Sequence, residues 1–131
     1  MRSADLSTGS ESVMLVEDQP GVRALTQQQL TLLGYRVVAY ASAEEATSAI
    51  RGGHVAVDVL ITDVVLAGMS GASLVKCLRV SQPHLRVLYV SGYNEDAVLT
   101  HGLNATARLL AKPFSLQELA LAVRAAIDEP E

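Results

Sequence analysis

Apolar and polar positions divide the chain into two kinds of segment that alternate. Five short apolar runs have the length and the Val, Leu and Ile content of strands buried on both faces of a parallel sheet. Between them, apolar residues recur three or four positions apart, as on the inner face of a helix. The predicted strands are 12–16, 35–40, 57–63, 86–90 and 108–111.

Helix-starting and helix-ending residues separate these strands. Pro20 suits the first turn of a helix and Gly34 suits its end. Capping boxes are predicted at Ser42–Glu45 and Ser115–Glu118. Two more helices are predicted over about 72–80 and 94–101. The apolar residues expected to face the core are Val22, Leu25, Leu32 and Leu33 in the first helix, and Leu119, Leu121, Val123 and Ile127 in the last.

This alternation of strand and helix indicates an α/β fold with a parallel sheet, helices on both faces and right-handed crossovers. A chain of 131 residues suits one domain. Residues 1–11 are polar and show no periodicity, so we expect a disordered tail or linker there. Residues 12–128 are then the folded domain.

Composition narrows the class of protein. Half of the residues are hydrophobic and the net charge is −4, which disfavours direct binding of nucleic acid because phosphate backbones require a basic face. No apolar run approaches the roughly 18 residues of a membrane span. The single Cys77 excludes an internal disulfide and fits a reducing compartment. We expect it to lie in a helix as a small packing residue rather than a redox group. The composition favours a cytoplasmic protein without membrane insertion.

Polar residues follow four of the predicted strands. Parallel strands bring their carboxyl ends to one edge, where open α/β sheets bind ligands. Glu17, Asp18 and Asp63 would therefore lie close together. Two carboxylates about 4 Å apart repel by ~4 kcal/mol at an effective dielectric near 20. A compensating cation is expected, and Mg²⁺ suits oxygen ligands while keeping waters for a substrate phosphate.

The same edge carries groups suited to phosphoryl chemistry. Lys112 supplies an ammonium group, and a carboxylate beside a metal ion and a lysine can attack phosphorus to form an acyl phosphate. Ser91 supplies a hydroxyl donor, and Gly92 leaves room for a phosphoryl group. Asp58, in contrast, starts its strand and belongs at the opposite edge.

Four motifs in order resemble the receiver domain of two-component response regulators over residues 12–128. They are Val16-Glu17-Asp18, Thr62-Asp63, Val90-Ser91-Gly92-Tyr93 and Ala111-Lys112-Pro113-Phe114. The third and fourth are most similar to receiver domains attached to hybrid sensor histidine kinases. The resemblance implies a doubly wound, flavodoxin-like sheet of five parallel strands in the order 2-1-3-4-5.

The resemblance also implies a role for each metal-site residue. Asp63 would be the phosphoacceptor, taking its phosphoryl group from the phosphohistidine of a histidine kinase or a phosphotransfer protein. Asp18 would bind Mg²⁺ directly and Glu17 through water, with the backbone carbonyl of Val65 as a further ligand.

The remaining roles concern the switch and access to the phosphoryl group. Lys112 would pair with Asp63, Ser91 would be the switch hydroxyl, and the bond from Lys112 to Pro113 would be cis. Gly92 and Tyr93 would lie at the mouth of the site. Leu109 stands where the family usually has an aromatic switch residue, and Ala67 stands where it usually has proline.

The function implied is that of a phosphoprotein module in a phosphorelay, without independent substrate turnover. The chain would be the receiver of a hybrid sensor histidine kinase or a single-domain regulator. The face of the fourth helix, fifth strand and fifth helix is a candidate for homodimerisation.

Three alternative functions are also open to a chain with this sequence pattern. The first is a receiver domain that docks a protein without phosphorylation. The second is a haloacid-type phosphatase, which needs a second acid where this chain has Val65. The third is a flavin phosphate binder, whose first loop would need phosphate-cradling backbone groups where Glu17-Asp18 stand.

Overall fold

The computed structural model describes residues 7–53, 56–92 and 107–129. Five parallel strands form one sheet in the order β2-β1-β3-β6-β7, and β4 and β5 form a small antiparallel hairpin beside it. The strands are β1 Ser12–Val16, β2 Arg36–Tyr40, β3 Val59–Asp63, β4 Val65–Leu66, β5 Met69–Ser70, β6 Arg86–Ser91 and β7 Leu109–Ala111. The helices are α1 Pro20–Leu32, α2 Ala43–Arg51, α3 Gly71–Arg79 and α4 Leu116–Asp128. The predicted doubly wound sheet and its strand order are confirmed. The predicted helix over 94–101 lies outside the described residues.

Apolar side chains of the central strands pack on both faces of the sheet. Every residue of β3 is buried. Met14 and Leu60 face α2 and α3, whereas their neighbours Val13 and Ile61 face α1 and α4. Each fully buried aliphatic side chain of this kind contributes about 1.5–3 kcal/mol. The two cores hold the carboxyl ends of β1, β3 and β6 in register.

Capping residues define where the helices begin. The Ser115–Glu118 capping box is complete, with both reciprocal hydrogen bonds present. At α2 only half of the predicted box forms. Ser42 accepts from the N–H of Glu45, but the Glu45 carboxylate accepts from the N–H of Ala41 rather than that of Ser42. Pro20 starts α1, and Gly34 follows its end with a φ of 100°, which glycine adopts without strain.

Three apolar positions predicted to face the core point outward instead. Leu25 and Leu32 are 56% and 71% exposed, and Leu121 is 55% exposed. The inner face of α1 is formed by Thr26 and Leu30, one turn apart, and this places Leu25 and Leu32 on the outer side. Cys77 lies in α3, as predicted, but it is exposed, so the expectation that it is a packing residue is wrong.

Residues 7–11 lie against α1 and α4. The N–H of Gly9 donates to the carbonyl of Leu33 at 3.1 Å. Arg124 binds both carboxylate oxygens of Glu11, at 2.8 and 3.1 Å. Whether residues 1–11 act as a linker stays a prediction, and residues 1–6 lie outside the described part. Among the helices described, none combines the length and apolar character needed to cross a membrane.

Candidate functional site

The carboxyl ends of β1, β3, β6 and β7 surround one cleft of about 490 Å³. Six of the residues singled out in the sequence line it: Asp18, Asp63, Val65, Ser91, Gly92 and Lys112. Glu17 lies just beneath, 3% exposed. Tyr93 is outside the described residues. The sequence therefore predicted the location of the cleft, since parallel strands carry their carboxyl ends to one edge.

Lys112 joins the two buried carboxylates. Its Nζ lies 2.8 Å from Glu17 Oε1 and 2.8 Å from Asp63 Oδ1. The other Glu17 oxygen accepts from the N–H of Gln19 at 3.0 Å, and the Glu17 carbonyl accepts from Arg23 Nη1 at 2.8 Å. These bonds hold the loop after β1 in place. Gln19 and Arg23 were not singled out in the sequence, because their contacts depend on how α1 begins.

Three carboxylates are placed to share a cation. Glu17, Asp18 and Asp63 each have an oxygen within 4.8 Å of the others'. Asp18 is exposed and lines the cleft, while the other two are buried. Oxygen donors with one side open to solvent fit Mg²⁺, which binds few protein carboxylates and keeps several waters. The residues present therefore fit the ion that the sequence predicts.

The charges of the cluster are interdependent. Burial, and then the neighbouring Glu17, raises the pKa of Asp63 to about 7, although Lys112 opposes this. Burial would also raise the pKa of Glu17, but hydrogen bonds with Asp63 and Lys112 outweigh it and the pKa is lowered. Without a bound cation, Asp63 is therefore partly protonated near neutral pH. A cation binding here competes with that proton.

Gly71 allows α3 to pack over Asp63. A Cβ at this position would clash with the backbone carbonyl oxygen of Asp63. The N–H of Gly71 donates to the carbonyl of Val64 at 2.8 Å, which ties the start of α3 to the end of β3. The sequence shows only a glycine in a polar loop at this point. Its role depends on a contact that forms in the folded protein.

Of the predicted switch residues, Ser91 and Gly92 line the cleft, whereas Leu109 does not. Ser91 ends β6 and is buried, and its carbonyl accepts from the N–H of Lys112 at 2.9 Å. Leu109 starts β7 and is 41% exposed. The bond between Lys112 and Pro113 is cis, as expected. The position of each residue is thus established, and the roles assigned to Ser91, Gly92 and Leu109 stay predictions.

A doubly wound sheet with three carboxylates and a half-buried lysine at its carboxyl edge defines an α/β protein equipped for phosphoryl chemistry. The particular family follows from comparison with known proteins. The family model of the response regulator receiver domain matches residues 13–124. The chain belongs to this family and is a receiver domain of two-component systems.

Relatives and solved structures agree with this assignment. The chain is 39% identical over 134 residues to the sensor kinase CckA of Brucella abortus (strain 2308), covering 99% of this chain and 14% of that protein. The receiver domain of the hybrid histidine kinase CckA superposes with a TM-score of 0.74 at 28% identity, covering 89% of this chain and 99% of that one. A response regulator receiver protein from Sinorhizobium medicae WSM419 has a TM-score of 0.80 at 24% identity, covering 93% and 98%, which shows the fold alone.

Proposed function

We propose that Asp63 accepts a phosphoryl group from the phosphohistidine of a histidine kinase or a phosphotransfer protein, with Mg²⁺ bound beside it. The observation that carries this proposal is the contact of Lys112 with both Asp63 and Glu17 at 2.8 Å. An ammonium group fixed beside a buried carboxylate offsets the repulsion between that carboxylate and an incoming phosphoryl group.

The transfer forms one bond and breaks another. A carboxylate oxygen of Asp63 attacks phosphorus, and the phosphorus–nitrogen bond of the phosphohistidine breaks with its electron pair returning to the imidazole nitrogen. Lys112 would hold the Asp63 carboxylate, and Ser91, which lines the cleft, would donate its hydroxyl to a phosphoryl oxygen. Bound Mg²⁺ supplies positive charge against the phosphoryl oxygens. Glu17, Asp18, Asp63 and the carbonyl of Val65 would hold it.

The outer face of α1 is the partner surface that fits this function. Leu25 and Leu32 are both exposed. They are seven residues apart, about two helical turns, and therefore lie on the same face of α1. The helix begins directly after Asp18 and Gln19, and both of these residues line the cleft. A helical partner packing on these leucines would bring a histidine on its surface toward Asp63.

The chain is further proposed to be the receiver module of a hybrid sensor histidine kinase, working in the cytoplasm. The identity with CckA and the likeness to its receiver domain support this origin. The chain spans 14% and 26% of the lengths of the first two curated relatives. The exposed Leu109 and Leu121 support the homodimer face proposed from the sequence. The helix predicted over 94–101, which would complete that face, lies outside the described residues.

The proposed phosphorylation is tested by intact-protein mass after incubation with Mg²⁺ and acetyl phosphate. Wild type is expected to gain one phosphoryl group, about 80 Da, and to gain none with EDTA. Asp63→Asn is expected to gain none. Asp58→Asn is the matched control, because Asp58 lies at the opposite edge and accepts from the N–H of Ser12.

Two results would contradict the proposed phosphorylation of Asp63. A folded wild type that gains no mass with Mg²⁺ would exclude Asp63 as an active acceptor and favour a docking receiver that works without phosphorylation. A gain that persists in Asp63→Asn would place the phosphoryl group on another residue.

A further inference from the structure

Thr26 is a polar residue on the inner face of α1. It is 4% exposed and shares that face with Leu30. Its hydroxyl makes no hydrogen bond with any residue that the structure describes, whereas Thr31 and Thr47 donate to the carbonyls four residues before them, at 2.9 and 2.8 Å. The oxygen of this hydroxyl is not among the fully buried unpaired atoms of the described residues, so it faces a space that a water molecule can reach. A water there would supply the hydrogen-bond partner that the protein does not.

One N–H donor of the Lys112 ammonium group has no acceptor among the described residues. An ammonium group has three N–H donors. Two are directed at Glu17 Oε1 and Asp63 Oδ1, both at 2.8 Å. Within the described residues no third acceptor contacts Lys112, and its side chain is only 24% exposed.

A small cavity lies between these two residues, behind the cleft. Its volume is about 10 Å³, and Thr26, Lys112, Glu17 and Phe114 are among the residues that line it. This is close to the smallest space that holds one water molecule, and such a water needs two to four polar partners. Thr26, Lys112 and Glu17 together meet that need.

We propose that one buried water bridges the Thr26 hydroxyl and Lys112 Nζ, which makes Thr26 a positioning residue for the lysine. The water accepts the third N–H of Lys112 and hydrogen-bonds to the Thr26 oxygen. This third bond restricts the ammonium group on its four-carbon stem further than its two ion pairs with Glu17 and Asp63 do. The consequence for phosphorylation rests on the function proposed above, while the water site itself does not.

The test compares Thr26→Val, which removes the hydroxyl at constant shape, with Thr26→Ser, which keeps it. Thr47→Val is the control, because Thr47 is also a helical threonine but belongs to α2 on the other face of the sheet. Crystal structures of wild type and Thr26→Ser are expected to show one water that lies about 2.7–3.2 Å from both Lys112 Nζ and the hydroxyl oxygen of residue 26. Thr26→Val is expected to lack it.

Phosphorylation kinetics with acetyl phosphate supply the second readout. Thr26→Val is expected to lower the maximal rate about two- to tenfold, the effect of one hydrogen bond. The acetyl phosphate concentration at half-maximal rate should stay unchanged, because Thr26 does not line the cleft. Thr26→Ser is expected to restore the rate to within about twofold, and Thr47→Val to leave it unaltered.

Two results would overturn the proposal. One is a dry cavity in wild type. The other is a Thr26→Val protein that unfolds at a higher temperature and keeps the wild-type rate, as removal of a truly unpaired hydroxyl would give. If wild type takes up no phosphoryl group, the proposed function fails. The crystallographic comparison still decides whether the water is present.

Discussion

Replacing Asp63 by asparagine is expected to stabilise the metal-free protein at pH 8. Burial, and then Glu17, raises the pKa of Asp63 from 3.8 to about 7. Between these values the folded protein holds a proton that the unfolded chain has released. The free energy of unfolding of wild type therefore falls as the pH rises through this window, and the destabilisation is complete above about pH 7. Asparagine has no such charge to bury.

The magnitude follows from the same pKa. A pKa difference of about 3 corresponds to about 4 kcal/mol. Solvent screening and the weaker bond of an amide to Lys112 reduce this to about 1–3 kcal/mol at pH 8. For a domain of this size, that raises the unfolding temperature by roughly 3–12 °C.

Thermal unfolding in EDTA from about pH 5 to 8.5 measures the effect. The difference between Asp63→Asn and wild type should grow as the pH rises to 7 and then level off. Asp58→Asn serves as the control at the opposite edge of the sheet. Added Mg²⁺ should raise the unfolding temperature of wild type more than that of Asp63→Asn, because it binds the folded state through this carboxylate. A variant less stable than wild type at pH 8, or a difference that does not change with pH, would refute this reasoning.

Three further changes test the site and the ends of the domain. Lys112→Met leaves Glu17 and Asp63 without their shared counter-charge and is expected to cost about 2–4 kcal/mol by urea denaturation in EDTA at pH 8; an effect below 0.5 kcal/mol would contradict the importance of this contact. Gly71→Ala is expected to cost at least ~2 kcal/mol and to slow phosphorylation, whereas Gly21→Ala, with open space around it, should be neutral or slightly stabilising. Equal stability of the two glycine variants would argue against the proposed packing on Asp63. Arg124→Met is expected to speed amide exchange at Gly9 about two- to tenfold, measured by mass spectrometry, with Lys76→Met as control; unchanged exchange would show that residues 8–11 are held without Arg124.

Much of the fold could be predicted because it depends on short-range patterns. The apolar runs that became β1, β3 and β6 are buried on both faces, so their hydrophobicity marks them without reference to any partner. The polar residues that end or follow these strands then had to meet at one edge, and Asp18, Asp63 and Ser91 do so in the cleft. The Ser115–Glu118 box formed because both of its hydrogen bonds lie within one helical turn.

Other features were decided only by the tertiary structure. Leu25 and Leu32 were assigned to the core because they are apolar, but the face of α1 that meets the sheet is set by how the helix packs, and Thr26 is buried instead. The clash that makes Gly71 necessary involves a residue eight positions earlier, across a hairpin.

The amino-acid sequence by itself determined which segments form strands and helices and which side chains reach the edge of the sheet. Hydrophobic periodicity and capping act over a few residues, so a linear pattern contains them. Tertiary structure alone decided that one lysine, 95 residues along the chain from Glu17, contacts two carboxylates at once. Such a contact depends on distances between chain segments, and the burial that raises the pKa of Asp63 exists only after those segments have packed together.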